Sequence, residues 1–238
     1  MKLDVLAFSA HPDDVELSCS GTLLLLLNEG KKVGMVDLTK GELGTRGTPE
    51  IREQEALDAS KILGASVREN LGMADGFFQN DSAHQMQVIQ AIRKYQPEII
   101  LCNAISDRHP DHGRAASLVS QCIFLAGLAK IETLENGKEQ VPWKTRVIYH
   151  YIQDRYLKPD FVIDVTSVWE KRMETVMAFR SQFYNPDSKE PETAISTKEF
   201  LDFLASRARE FGRQIGVQYA EGFTVERIPG VKSLSQLL

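Results

Sequence analysis

The order of segments along this chain predicts an α/β fold. The expected form is a doubly wound, mostly parallel Rossmann-like sheet, with helices on both faces and a smaller irregular C-terminal region. Two observations carry the prediction. Short apolar runs alternate with helix-length stretches from Leu3 to Leu128, and that alternation means parallel strands joined by right-handed crossovers. The length of 238 residues, with 42% hydrophobic and 26% charged residues, suits one globular domain spanning 1–238.

The elements follow in order. Leu3 to Ser9 reads as a buried strand. A helix is expected from Asp14 to Glu29, stopped by Gly30. Val33 to Leu38 is a second strand, followed by a glycine-rich loop from Lys40 to Thr48. Gly41, Gly44 and Gly47 would let that loop bend close to a ligand. Thr48-Pro49 opens a helix, with threonine as N-cap and proline at the first helical position. A third strand is expected near Val67 to Leu71, a helix from Ser82 to Tyr95, a fourth strand from Glu98 to Cys102, and a helix from Gly113 to Leu128. Beyond these, Val147 to Ile152 and Phe161 to Val165 read as strands. Thr166-Ser167 is the expected cap of a helix through Phe179. Asn185 to Thr193 reads as a loop, and a helix from Thr197 to Ile215 carries Phe200, Phe203, Leu204 and Phe211 on one stripe.

Composition narrows the function. Twenty-eight basic against thirty-three acidic residues give a net charge of −5, which argues against a broad nucleic-acid-binding face. The longest apolar run, Leu23 to Leu27, is far short of a membrane span. The opening MKLDVLAFSAHPDD is charged too soon for a signal peptide. Cys19, Cys102 and Cys122 are odd in number and lack CxxC spacing, so they read as small core residues in a reducing compartment. The expectation is a cytoplasmic protein that binds neither nucleic acid nor membrane.

In a sheet ordered 3-2-1-4, strands one and four are neighbours at the switch point, and ligands bind just beyond their carboxyl ends. The chain reads Ala10-His11-Pro12-Asp13-Asp14 after the first strand and Asp107-Arg108-His109-Pro110-Asp111-His112 after the fourth. Two His-Pro-Asp tripeptides thus fall where the fold selects for a site. A single such tripeptide is an ordinary turn, in which proline fixes φ and aspartate caps the next helix. The pair together reads as a metal site. Imidazole with carboxylate suits Zn²⁺, or less specifically Fe²⁺, Co²⁺ or Mn²⁺. Side chains of adjacent residues diverge, so of Asp13 and Asp14 one can bind the ion while the other accepts a proton. A phosphate-binding loop is disfavoured, because no GxGxxG follows the first strand and two carboxylates would repel phosphate. The remaining histidines read as structural (His150) and solvated (His84).

These motifs resemble the zinc-dependent N-acetylglucosamine deacetylase family, of PIG-L or LmbE type. Within it the chain looks closest to the bacillithiol-pathway deacetylases, through HPDDVE (His11 to Glu16), KGELGTRGTPEIREQE (Lys40 to Glu55) and FYNPDSKEPET (Phe183 to Thr193). The wider family often has glutamate straight after the Asp-Asp pair. This chain has Val15 and then Glu16, a variation shared with that subgroup. The resemblance implies hydrolysis of the N-acetyl group of N-acetylglucosaminyl-L-malate. It makes His11, Asp14 and His112 the metal ligands and Asp13 the general base, and Asp111 would orient a histidine. His109, in protonated form, would assist the oxyanion or the leaving amine. Arg52 and Arg108 match substrate contacts, and guanidinium suits a malate carboxylate. Tyr184 is a candidate for a tyrosine near the oxyanion. The family also implies self-association, with hexamers among its members. Two alternatives remain at this point: a deacetylase or amidase acting on another aminosugar conjugate, and a non-catalytic sugar- or metal-binding protein of the same fold.

Overall fold

A computed structural model describes residues 1–237. Its main sheet has seven strands in the order β3-β2-β1-β4-β7-β9-β8. The first half runs β1 (Val5–Ser9), α1 (Asp14–Ser18), α2 (Ser20–Asn28), β2 (Val33–Thr39), α3 (Pro49–Leu63), β3 (Val67–Met73), α4 (Ser82–Tyr95), β4 (Ile99–Cys102) and α5 (Pro110–Ala126). A small hairpin, β5 (Leu134–Glu135) and β6 (Lys138–Glu139), precedes β7 (Val147–Tyr151), β8 (Phe161–Asp164), α6 (Trp169–Met177), α7 (Lys198–Ile215) and β9 (Ala220–Val225).

The sequence dictates the central strands. β1 is buried along its whole length and pairs in parallel with β2 on one side and β4 on the other. Successive residues face opposite ways. Leu6 and Phe8 enter a core with Val36, Leu38, Ile89 of α4 and Leu118 of α5. Val5 and Ala7 enter a second core with Leu23 of α2, Met35, Trp169 of α6 and Phe223 of β9. Each large apolar side chain fully buried this way contributes roughly 1.5–3 kcal/mol. α3 begins as expected: the Thr48 side chain accepts from the Ile51 amide, Pro49 opens the helix, and Gly64 ends it at φ 91°.

The structure departs from expectation in several places: the β5–β6 hairpin was not expected, and α5 starts at Pro110, three residues before the expected Gly113. The first helix is two helices, broken at Cys19 (φ −147°, ψ 12°). The break gives α2 its own N-terminus, and the buried Glu221 carboxylate accepts from the Gly21 amide (2.9 Å), the Thr22 amide (2.7 Å) and the Thr22 hydroxyl (2.7 Å) there. The C-terminal region is less irregular than expected, because β9 inserts antiparallel between β7 and β8 and extends the sheet. Finally, no side chain at Thr166 or Ser167 caps α6; a 3-10 turn over Thr166–Val168 leads into it. Among the described residues no helix is long and apolar enough to cross a membrane.

Candidate metal centre and active site

The ends of β1 and β4 lie side by side, with Ala7 opposite Leu101. The segments that leave them therefore meet. A cavity of about 340 Å³ opens above this edge, and His11, Asp13, Asp14, His109 and His112 line it together with Arg52 and Arg108.

Asp14 is the centre of the cluster. Its Oδ1 lies 3.1 Å from His112 Nε2, and its Oδ2 lies 3.6 Å from His11 Nδ1. Three polar groups fix this carboxylate: the His11 amide (2.9 Å) and Asn103 Nδ2 (2.9 Å) donate to Oδ2, and Gln153 Nε2 (3.0 Å) donates to Oδ1. Each histidine gives its other nitrogen to a different carboxylate. His11 Nε2 is 3.1 Å from Asp75 Oδ1 and 3.4 Å from Asp111 Oδ2, while His112 Nδ1 is 2.5 Å from Asp107 Oδ2. Hydrogen bonds on the far nitrogen are what orient a metal-binding imidazole and set its tautomer.

This donor set fits a divalent cation. Two imidazole nitrogens face one carboxylate, both rings are held from behind, and His109 stands beside them. Nitrogens of His11, His109 and His112 can all lie within 4.8 Å of one another. The chemistry matches Zn²⁺ or another first-row divalent ion and does not choose among them.

Asp13 occupies the N-cap position of α1, yet its side chain makes no capping bond. Its backbone is left-handed, at φ 112°, a costly conformation for a residue with a Cβ. The carboxylate faces Arg52 instead, with Nη2 at 3.1 Å from Oδ2. Burial pushes the Asp13 carboxyl up, Arg52 offsets part of that, and the result is about 7. Asp14 goes the other way: burial opposes its ionisation, but His112 and His11 hold it well below the usual carboxylate range. Two adjacent aspartates thus have different protonation chemistry. In the metal-free protein, burial disfavours the charged form of His112, but Asp14 and Asp107 outweigh it and push the ring up to about 9. His109 moves down, through burial and the charges of His11 and His112. Its Nδ1 accepts from the Asp111 amide at 3.3 Å, which leaves the proton of the neutral ring on Nε2.

Arg52 is buried, and both terminal nitrogens are engaged within the protein: Nη1 donates to the Gly41 carbonyl (3.0 Å), and Nη2 donates to the Pro12 carbonyl (2.7 Å) and to Asp13, while Nε has no partner. Gly41, at φ 64°, permits this, since a Cβ there would lie 1.9 Å from Arg52 Nη1. Arg108 stands at the rim, half exposed, with its Nε donating to Asp154 Oδ2 at 2.7 Å. Asp111 donates nothing to the cavity; it accepts from the Gly76 amide (2.8 Å) and pairs with Arg114 (2.5 Å) while facing His11. Tyr184, expected near the oxyanion, is partly exposed and does not line the cavity. The neighbouring Phe183 is the one that packs into the core, while Tyr184, in the irregular segment between α6 and α7, stays at the surface. His150 is buried against the Asn103 carbonyl, and His84 bonds the Asp81 cap.

Sequence reasoning missed Asp75, Asp107, Asn103 and Gln153. Asp107 carried a signal, five residues before His112 in the turn that leads into α5. Asp75 carried none: Ala74-Asp75-Gly76 looks like any turn.

Comparison with known proteins finds relatives in sequence and in fold. The model of the GlcNAc-PI de-N-acetylase (PIG-L) family matches residues 6–123. A solved structure of the conserved protein TT1542 from Thermus thermophilus is 35% identical, covers 97% of each chain and superposes with a TM-score of 0.85. Among curated relatives, the diacetylchitobiose deacetylase of Thermococcus kodakarensis is 27% identical, over 95% of this chain and 84% of its own. The 4-oxalmesaconate hydratase of Pseudomonas putida is 26% identical, over 74% and 73%. A probable N-acetyl-alpha-D-glucosaminyl L-malate deacetylase 2 of Bacillus cereus is 26% identical, over 76% and 84%.

Proposed function

The chain belongs to the PIG-L family of GlcNAc-PI de-N-acetylases, and from that premise we propose that it removes the acetyl group of an N-acetylglucosamine conjugate in a metal-dependent hydrolysis. One observation carries the reading: Asp14 lies between His11 and His112, while the adjacent Asp13, at about 7, is left free of the cluster to move protons. His11, Asp14 and His112 would hold the ion. When bound, a cation such as Zn²⁺ supplies Lewis acidity, polarising the amide carbonyl and acidifying a water.

The protein's own groups do the rest. Asp13 accepts the proton of the attacking water, and a value near neutrality suits that exchange. Arg52 fixes the carboxylate's direction from behind. His109, pushed down by burial and by the charges of His11 and His112, carries its proton on Nε2 in the neutral form and donates it to a hydrogen bond with the developing oxyanion. The C–N bond then breaks, acetate leaves, and Asp13 returns its proton to the amine.

The finer reading gives the conjugate an L-malate aglycone. Arg108 supports it as an accessible guanidinium at the rim, and the Bacillus cereus relative is named for that substrate. Arg52 lends less support, since both of its terminal nitrogens already bond Asp13 and two carbonyls.

The test is acetate release from N-acetylglucosaminyl-L-malate, diacetylchitobiose and free N-acetylglucosamine, by zinc-loaded and chelated protein. Metal-dependent release from any of the three supports the chemistry, and preference for the malate conjugate supports the aglycone. Metal binding without release of acetate from any would overturn the deacetylase reading, and a hydratase-type reaction like that of the Pseudomonas relative would be the next to assay.

A further inference from the structure

The cavity has two chemically different ends. One holds the histidines, the carboxylates and Arg108. The other is walled by Leu17, Ile195, Phe200, Phe203 and Leu204. These come from three separate segments: α1, the loop before α7, and α7 itself. Leu17 stands one helical turn beyond Asp13, its amide donating to the Asp13 carbonyl at 2.9 Å. The apolar wall therefore begins beside the proposed base.

The wall is built in advance. Phe200 stacks on the fully buried Phe183 at 6.1 Å, nearly parallel, and on Phe203 at 5.8 Å. The Arg207 guanidinium lies 4.7 Å above the Phe203 ring while donating to the carbonyls of Gln153 and Asp154, so its donors are engaged by the backbone and the residue itself does not line the cavity. The Ile195 loop is pinned by Thr193, whose amide donates to Ser196 Oγ at 2.8 Å, and by Glu190, which accepts from the Gly47 amide at 2.9 Å. An acetyl methyl covers little apolar surface, and sugar hydroxyls would lose hydrogen bonds to water against such a wall.

We propose that this end is a subsite for an apolar group of the substrate: a short alkyl chain, carried either on the nitrogen as part of the acyl group or on the anomeric oxygen as the aglycone. The inference rests on the reading of the site as an amide hydrolase of aminosugars. It predicts that chain length on one of those two positions improves turnover.

The test is kcat/KM of the metal-loaded protein for two series. One is glucosamine acylated with acetyl, butyryl and hexanoyl groups. The other is the methyl, butyl and hexyl glycosides of N-acetylglucosamine. The expected gain is about fourfold for each methylene that the wall covers. A gain in the first series assigns the acyl source, and a gain in the second assigns the aglycone. Ile195→Asp, a substitution on a half-buried loop residue, should flatten the gain, and Phe203→Asn should do the same by a second route. Turnover of acetyl substrates with flat or falling kcat/KM along both series would overturn the subsite and leave the hydrolase intact. If no substrate is turned over, the hydrolase reading fails. Calorimetric binding of hexyl and methyl glycosides of glucosamine then still decides: tighter hexyl binding that Ile195→Asp abolishes supports the subsite, and equal affinities overturn it.

Discussion

Arg52 Nη2 lies 3.1 Å from Asp13 Oδ2, and both side chains are buried. The pair joins a helix that begins after the glycine-rich loop to the turn that carries the proposed base. Arg52 lowers the Asp13 carboxyl against the upward push of burial. Arg52→Gln removes that downward push, so Asp13 titrates above 7 and a smaller fraction is ionised at neutral pH. The acid limb of the pH profile of kcat/KM should therefore move to higher pH, with activity partly recovered in alkaline buffer. A profile that drops uniformly, with no movement of the limb, would show that Arg52 acts through loop structure alone.

Asp13→Asn tests the base itself. Turnover should fall by about 10²–10⁴-fold, the usual size of a general-base contribution. Bound metal per chain, measured by elemental analysis, should stay the same, because Asp13 is not among the proposed ligands. Loss of metal together with activity would move Asp13 into the ligand set.

Metal binding should be linked to protons. His112 sits at about 9 in the metal-free protein, held up by Asp14 and Asp107 against burial. At neutral pH the ring is protonated and must lose its proton to bind an ion. Affinity should rise with pH and level off above about 9, and calorimetry in buffers of different ionisation enthalpy counts the protons released. The same shift has a stability sign. The folded value is raised above the unfolded value of about 6.5, so the contribution is full below the unfolded value and is lost as pH rises through about 9. Chelated protein should therefore lose melting temperature between neutral and alkaline pH, and loaded protein should lose less.

The carboxylates behind the histidines should differ in weight. His112 Nδ1 faces Asp107, whereas His11 Nε2 faces both Asp75 and Asp111. Asp107→Asn leaves His112 Nδ1 without an anionic partner and should weaken metal binding by about 10–100-fold. Asp75→Asn leaves Asp111 in place and should cost less. Competition against a chromogenic chelator measures both, and equal losses would contradict the geometry.

Much of this was legible because the chemistry sits at strand ends. A buried apolar run followed by a charged, histidine-containing turn marks both the end of a strand and the mouth of a site, so β1 and β4 announced His11 and His112 together. Asp75 and Gln153 were not legible. Each reaches the centre from a segment whose local sequence is that of an ordinary turn, and only the closing of the sheet brings them to His11 and Asp14. β9 was hidden for a related reason. Gly222 interrupts its apolar pattern, and the glycine is required by packing, since a Cβ there would lie 2.8 Å from the Phe211 ring. The break at Cys19 was invisible because the carboxylate that binds the freed helix start, Glu221, lies two hundred residues from Gly21 along the chain.

That break gives the last prediction. Glu221 accepts three hydrogen bonds at the start of α2 and lies 3.7 Å from Arg172 Nε, with both side chains buried. Glu221→Ala removes the anion, leaves the Gly21 and Thr22 amides without an acceptor and strands the Arg172 charge. Breaking a buried pair from one side costs about 3–5 kcal/mol, and denaturant unfolding should show a loss of that order. The double variant Glu221→Ala with Arg172→Met removes the stranded charge and should recover part of the loss. A single variant as stable as the parent would mean that water takes over both roles, and that the split of the first helix has another cause.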